Sequence, residues 1–317
     1  MHSSPDGRAA QVRTFHHSRY PPERLAAARA QRGVRVSACL PARECAATVG
    51  EIVAKLARLC EQAVIDEIVV IDAASRDGTA AAAERAGARV LQEAELMPAY
   101  GPVLGKGDAM WRALPALRGD VVCFLDADSQ DFPAHFATGV LGPLLCERDV
   151  SFCKAFYRRP LVTGDTLLAD GGGRVNHLTA RPALALFYPQ LAEIRQPLAG
   201  EVAARRDLLW RLPFATGYGV EIAMLIDAWH ALGLDGIAQV DLDEHRNRHQ
   251  PLAALSQMAL TVLATIAARL RAEGRLDDEG LTGTLEHVVA ERPAHESLAH
   301  GVAAAGAPAA PSGRGGA

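Results

Sequence analysis

The chain reads as an α/β fold built on a mostly parallel sheet flanked by helices. Three observations predict it. Apolar runs of strand length alternate with segments of helical spacing from about residue 34 to residue 125. Hydrophobic residues make up 49% of the 317, enough for one large core or two small ones. Three of the strand-like runs end in suggestive residues: Pro41 to Glu44, Asp72 with Ser75, and Asp126 with Asp128. In parallel sheets ligands sit at the carboxyl ends of the strands.

The elements follow in order. Residues 1–32 are polar and then Arg/Ala-rich, and are expected to form a partly disordered extension with a short helix at "PERLAAARAQR". "VRVSACLPA" (34–42) predicts a strand, "TVGEIVAKLARLCEQ" (48–62) a helix, "DEIVVIDAAS" (66–75) a strand and "DGTAAAAERAG" (77–87) a helix. "ARVLQEA" (88–94) predicts a strand, "GKGDAMWRALPALRG" (105–119) a helix, and "DVVCFL" (120–125) a fully buried strand. Beyond it, "VSFCKAFYRRPL" (150–161) reads as a strand, and "DGGGRVNH" (170–177) as a glycine-rich loop. "GYGVEIAMLIDAWHALG" (217–233) reads as a capped amphipathic helix, "IAQVDLDEHRNRH" (237–249) as a strand ending in a polar cluster, and 252–274 as a long helix. Residues 33–150 are then one ligand-binding half and 151–275 a second half of the same domain. The Gly/Ala/Pro-rich tail, 276–317, is expected to be largely disordered.

Composition narrows the function. A net charge of −4 gives no basic footprint for nucleic acid. No apolar run approaches the ~20 residues of a membrane span, and no signal core precedes the fold. The six cysteines form no C-x-x-C pair and read as reduced, near-core residues of a cytoplasmic protein.

Asp126 and Asp128 are two apart, so an extended chain points both the same way. Paired carboxylates at a strand end suit a hard cation such as Mg²⁺, with Mn²⁺ as the alternative. Such an ion leaves most of its positions to water and phosphate. A turn after a strand also favours Asp, but the preceding series of alternating strands favours a ligand site. A phosphatase with an aspartate nucleophile usually carries Thr or Val two residues after the second Asp; here Gln130 stands there. A nucleotide-sugar transferase fits better, its cation neutralising a diphosphate leaving group. Lys106 of "GKG" lies at a helix start, where the dipole favours phosphate. His245, in "DEHRNRH", is a candidate metal ligand, and Arg246 and Asn247 beside it suit phosphate or carboxylate. In "GGGRV", Gly173 and Arg174 suit an anion. Glu201 and Glu221 lie in apolar surroundings and each needs a partner. His249 and the pair His16 and His17 receive no role.

Taken together, "GKGDAMWRAL", "VVCFLDADSQDF", "KAFYRRPL", "GGGRV…ARP", "QPLAGE", "PFATGYGVEI" and "EHRNR" resemble the glucosyl-3-phosphoglycerate synthases. These are retaining glycosyltransferases of GT-A fold, a Rossmann-type sheet with a C-terminal acceptor-binding portion. The resemblance runs from about residue 34 to 270. It implies transfer of glucose from UDP- or GDP-glucose to the 2-hydroxyl of 3-phospho-D-glycerate, toward glucosylglycerate, by a homodimer. A mannosyl-transferring relative using GDP-mannose is the nearest alternative. The resemblance places Pro41, Ala42, Glu44 and Asp72 at the nucleotide and Lys106 and Asp126 at the donor. It gives Asp128 and His245 the cation. Gly173, Arg174, Val175, Asn176 and Asn247 fall at the acceptor, and Tyr218 and Glu221 at the sugar or acceptor end of the pocket. Asp126, Asp128, Lys106 and Glu221 form the expected catalytic set.

Three positions depart from the pattern. Cys45 stands where an acid is expected, Asn176 where Thr is usual, and Asp243 where an Arg precedes the metal histidine. An aspartate there would repel a phosphorylated acceptor.

Overall fold

The computed structural model describes residues 11–163, 166–168, 171–245, 250–276 and 290–298. The chain opens with β1 (Arg13–His16) and α1 (Pro22–Arg32). The alternating run follows as β2 (Val36–Ala42), α2 (Val49–Glu61), β3 (Glu67–Asp72), α3 (Thr79–Arg85), β4 (Arg89–Gln92), α4 (Lys106–Ala113) and β5 (Val121–Phe124). Next come α5 (His135–Cys146), β6 (Phe152–Arg158) and the hairpin of β7 (Leu161–Thr163) and β8 (Thr166–Leu168). Then follow α6 (Arg181–Phe187), β9 (Val202–Arg205), α7 (Arg206–Arg211) and β10 (Phe214–Ala215). The remainder is α8 (Val220–Leu232), β11 (Ile237–Glu244), α9 (Leu252–Ala272) and β12 (Glu291–Arg292).

One sheet carries the fold, in the order β1-β11-β6-β9-β5-β2-β3-β4. Only β9 runs against its neighbours, β5 and β6; the other pairings in this sheet are parallel. Seven strands therefore bring their carboxyl ends to one edge. Chain order reverses at β2, with β3 and β4 to one side and β5 to the other. The crevice at such a switch point is where open α/β sheets bind ligands.

The uninterrupted apolar runs have a physical reason. Val121 and Cys123 of β5 pack into one apolar layer with α1, α2 and α5. Val122 and Phe124 pack into the other, with α4, α7 and α8. A strand covered on both faces loses its polar alternation. Pro41, inside β2, would break a ladder on both sides, but pairing with β5 ends at Cys39.

Both chain ends enter the fold further than expected. β1 extends the sheet beside β11, and Tyr20 is buried against α5. A β-carbon at Gly142 would overlap the Tyr20 ring, so this glycine lets the N-terminal segment dock closely. At the other end β12 pairs with β10. His295 stacks on Trp111, with ring centroids 4.8 Å apart. Arg292 donates to Asp108 Oδ1 at 2.8 Å and to the carbonyl of Tyr100 at 2.9 Å. Residues 290–298 thus strap α4 and the loop before it; 1–10 and 299–317 lie outside the described residues.

Two helices differ from their expected character. The sequence predicts α8 to be amphipathic, yet it buries Val220, Ile222, Ala223, Met224, Leu225, Ile226 and Ala228. It lies against α9 on one side and the sheet on the other. The sequence pattern gave no span-length apolar helix, but α9, at 21 residues and a mean hydropathy of 1.5, is long and apolar enough to cross a membrane by length and composition. It packs against α6 and α8 and leaves Leu252, Leu260 and Leu263 exposed.

Candidate active site

The carboxyl end of β5 delivers Asp126 and Asp128 into the crevice, and the first residue of α4 delivers Lys106. Lys106 Nζ lies 2.6 Å from Asp126 Oδ1 and 2.9 Å from Glu221 Oε1 at the start of α8. Three expected catalytic residues, spread over 115 positions, therefore meet in one charged triad. Burial opposes the charge of Lys106, but Asp126 and Glu221 overcome it and hold its pKa well above the ordinary lysine value. Burial likewise works against an ionised Asp126. The Lys106 charge and hydrogen bond prevail and keep this carboxyl below its usual range.

Asp128 behaves oppositely. Partial burial, and then the neighbouring Asp126 charge, push its pKa up. Two carboxylates so close cannot both ionise freely without a cation. His245, at the end of β11, is 2% exposed and places Nε2 3.1 Å from Ser129 Oγ in the same turn. Its ring is wedged edge-on against Tyr157 and Phe136, with centroids 4.6 and 5.0 Å away. A cavity lined by Gln130, Asp131, Phe136, Glu244 and His245 opens beside it. A repelled carboxylate and a fixed imidazole are a donor set that fits Mg²⁺ or Mn²⁺, the remaining positions falling to phosphate and water.

At the end of β3, Asp72 is 1% exposed. Its Oδ2 accepts from Gln92 Nε2 at 3.0 Å and from the Ser75 N–H at 3.3 Å. Its Oδ1 is buried with no partner among the described residues. An orphaned carboxylate oxygen is costly, and a donor on a base or ribose would satisfy it. Pro41 and Ala42 adjoin it across the register, Ala42 opposite Asp72. Glu44 is instead tied to the loop after β3: its Oε1 accepts from the Arg76 N–H at 2.8 Å, and its own N–H donates to Ser75 Oγ at 2.9 Å.

The glycine-rich loop leads into a five-residue π-helix, Asn176–Ala180, a form enriched at functional sites. Gly173 has φ +66°. Arg174 is half-buried and donates to the Gln250 carbonyl at 2.9 Å. Val175 is a core residue. Asn176 is buried, and its Oδ1 accepts from the Leu198 N–H at 2.9 Å, so it fastens the "QPLAGE" loop to this one. Tyr218 is 60% exposed, in the 3-10 turn Gly217–Gly219 that leads into α8. Arg246, Asn247 and His249 lie outside the described residues.

The departures resolve individually. Burial pushes the Cys45 thiol up to about 11, so no charge replaces the expected acid. Asp243 does not present a bare charge to an acceptor: Oδ2 lies 2.7 Å from His17 Nε2 and Oδ1 3.2 Å from His16 Nε2.

A buried layer beneath the triad carries roles that the sequence reading left unassigned. Glu201 finds its partner in Tyr157, whose hydroxyl donates to Oε2 at 2.9 Å. Burial and then Asp126 push the Glu201 carboxyl up to about 7. Lys154 is 1% exposed, donates to the Ala199 carbonyl at 2.6 Å, and is pushed down by burial to about 8. A β-carbon at Gly200 would overlap the Asp126 carboxylate, so the loop backs directly onto Asp126. The signal for this layer was a lysine and a tyrosine inside the apolar run "FCKAFY".

Residues 37–184 match the family model described as Glycosyl transferase family 2. A glucosyl-3-phosphoglycerate synthase of Petrotoga mobilis is 39% identical over 290 residues, 90% of this chain and 89% of the relative. The crystal structure of mannosyl-3-phosphoglycerate synthase from Rubrobacter xylanophilus superposes with a TM-score of 0.83 at 45% identity, covering 90% of this chain and 96% of that one. Glucosyl-3-phosphoglycerate synthase from Mycobacterium tuberculosis, solved with Mn²⁺, UDP-glucose and phosphoglyceric acid, gives 0.78 at 38% identity, covering 92% and 100%. With its metal-suited strand end, its Lys106 triad and this likeness over most of its length, the chain belongs to the glucosyl-3-phosphoglycerate synthase family of metal-dependent, GT-A-like glycosyltransferases.

Proposed function

We propose that the chain transfers glucose from UDP-glucose to the 2-hydroxyl of 3-phospho-D-glycerate with retention at the anomeric carbon. The observation that carries this reading is the Lys106–Asp126–Glu221 triad beside Asp128 and His245 at the switch point of the sheet. The M. tuberculosis relative crystallised with that donor and acceptor together supports the substrates.

Asp72 anchors the nucleoside through its free oxygen. Lys106 stands where it can hold Asp126 and Glu221 against the sugar and meet the diphosphate. Bound by Asp128 and His245, Mg²⁺ or Mn²⁺ would stabilise charge on the departing diphosphate. Arg174, with one neutral partner described, offers its remaining donors to the acceptor phosphate, and the backbone of Gly173 and Val175 completes that contact. Asn176 holds the two loops at their working distance. The bond from C1 to the diphosphate oxygen breaks and a bond from C1 to the glycerate oxygen forms on the same face. The hydroxyl proton passes to a diphosphate oxygen. Glu221 is engaged by Lys106 and Asp128 is given to the cation, so no carboxylate takes the role of nucleophile in this reading. Glu221→Gln is therefore expected to keep measurable transfer; a glycosyl adduct on the wild-type chain by mass spectrometry would overturn front-face transfer.

The test is a matrix of UDP- and GDP-linked glucose and mannose against 3-phosphoglycerate, with Mg²⁺ or EDTA. UDP-glucose is expected to react fastest, and EDTA to abolish turnover. A second reading, transfer of mannose from GDP-mannose, is favoured by the 45% identity to the Rubrobacter enzyme; preference for that donor in the matrix would select it.

A homodimer in the cytoplasm fits the same reading. At ~100° per residue, Leu252, Leu260 and Leu263 fall within an arc of about 80° on α9 and are exposed. Leu178 and Leu186 add to this apolar surface from segments that α9 touches. A second copy would bury it. The six free thiols suit a reducing compartment.

A further inference from the structure

We propose that His16, His17 and Asp243 form a second metal site, separate from the catalytic cation, that takes a borderline transition ion of the Zn²⁺ class. Their donor atoms, one ring nitrogen from each imidazole and one carboxylate oxygen, all lie within 4.8 Å of one another. Tetrahedral Zn²⁺ bonds of about 2.0–2.2 Å require donors about 3.3 Å apart. His17 Nε2 lies 2.7 Å from Asp243 Oδ2 and His16 Nε2 3.2 Å from Oδ1, so small side-chain rotations would bring both imidazoles to that spacing from one carboxylate oxygen. Two imidazoles and a carboxylate with one open position suit Zn²⁺, Co²⁺ or Ni²⁺ better than Mg²⁺.

The cluster is held from three elements. His16 ends β1 and His17 begins the following 3-10 turn, so consecutive side chains converge, with ring centroids 4.4 Å apart. Asp243 sits at a register shift of β11 with φ +67°, a conformation rare outside glycine. That backbone turns its carboxylate toward β1. His135 of α5 stacks on His17 at 3.9 Å and is itself fixed by the Leu242 carbonyl at 3.1 Å. His16 Nδ1 lies 2.8 Å from Ser18 Oγ. Nδ1 also accepts from the Ser18 N–H at 3.2 Å; metal at Nε2 would shift the single ring proton from Nε2 to Nδ1, which gives up that backbone bond and donates to the Ser18 hydroxyl instead. The metal would clip the N-terminal strand to β11, two residues before His245.

The experiment uses untagged full-length protein carrying Asp128→Asn, which weakens the catalytic cation site. The probes are Co²⁺ by visible absorption and Zn²⁺ by thermal denaturation. One Co²⁺ equivalent with intense tetrahedral bands, and a Tm raised by Zn²⁺, are expected. Both are expected to vanish when His17→Gln is added, while His17→Gln alone keeps Mg²⁺-dependent transfer. Asp243→Asn, which removes a ligand at an exposed position, gives the same readout should the loss of the His17 stack impair folding. An unchanged Co²⁺ spectrum and Zn²⁺ shift in these variants, or no bound equivalent in Asp128→Asn, overturns the proposal.

Discussion

At the Lys106 triad, charged side chains are held by other charged side chains. At the glycine-rich loop, the polar side chains Arg174 and Asn176 are held by backbone. Lys106 is clamped between Asp126 and Glu221, and its helix is fixed by the buried Asp108–Arg112 pair and by Arg292. Arg174, in contrast, makes one bond to a carbonyl, and Asn176 accepts one from an N–H. The first arrangement sets geometry and charge before any ligand arrives, which suits stabilisation of a leaving group. The second leaves Arg174 donors without a partner among the described residues, which suits capture of a phosphorylated acceptor. The two sides should therefore fail in different ways.

Asp128→Ala should give the largest effect, lowering kcat by roughly 10²–10³-fold with both substrates still bound. Initial rates with labelled UDP-glucose check this, and a loss under about fivefold would remove Asp128 from catalysis. Lys106→Met comes next. It leaves Asp126 and Glu221 facing each other without a cation, so stability should fall by on the order of 3 kcal/mol and turnover with it. Adding Glu221→Gln should restore part of the stability but not the activity. Denaturant titration of the single and double variants separates the two losses. Arg174→Gln should raise KM for phosphoglycerate roughly tenfold while leaving the UDP-glucose KM and Tm nearly unchanged. A donor KM that rises equally would erase the distinction between the two sides.

The smallest effect is a pH dependence in the layer beneath both. The folded state pushes Glu201 from 4.5 up to about 7, so it binds a proton more tightly than the unfolded chain does. Stability from this group is full below the unfolded value and is lost as pH rises toward and through 7. Glu201→Gln, neutral at every pH, should thus gain several degrees in Tm relative to wild type at pH 8 and little at pH 5. A difference independent of pH would show that the Glu201 charge is compensated within the fold.

How much of this was legible follows from how local each signal is. The strands from Val36 to Phe124 and their helices were readable because periodicity is written within a few residues. The strand-end aspartates were readable because a parallel sheet fixes which end meets ligand. β1 was not: four residues of mixed burial at a sheet edge carry almost no pattern. The antiparallel insertion of β9, between two strands that precede it in sequence, was equally silent. The C-terminal strap hid in a segment whose composition resembles linker, because its hold comes from His295 and Arg292 meeting Trp111 and Asp108.

By itself, the sequence determined the alternating core, the paired carboxylates and the residue types able to meet phosphate and cation. Tertiary structure alone decided which charges neutralise one another. Lys106 could have faced solvent, Glu221 could have been a nucleophile, and Asp243 could have repelled an acceptor. Their partners lie 20, 115 and 226 positions away. Electrostatic energy depends on distance through space and on burial, and neither is written along the chain.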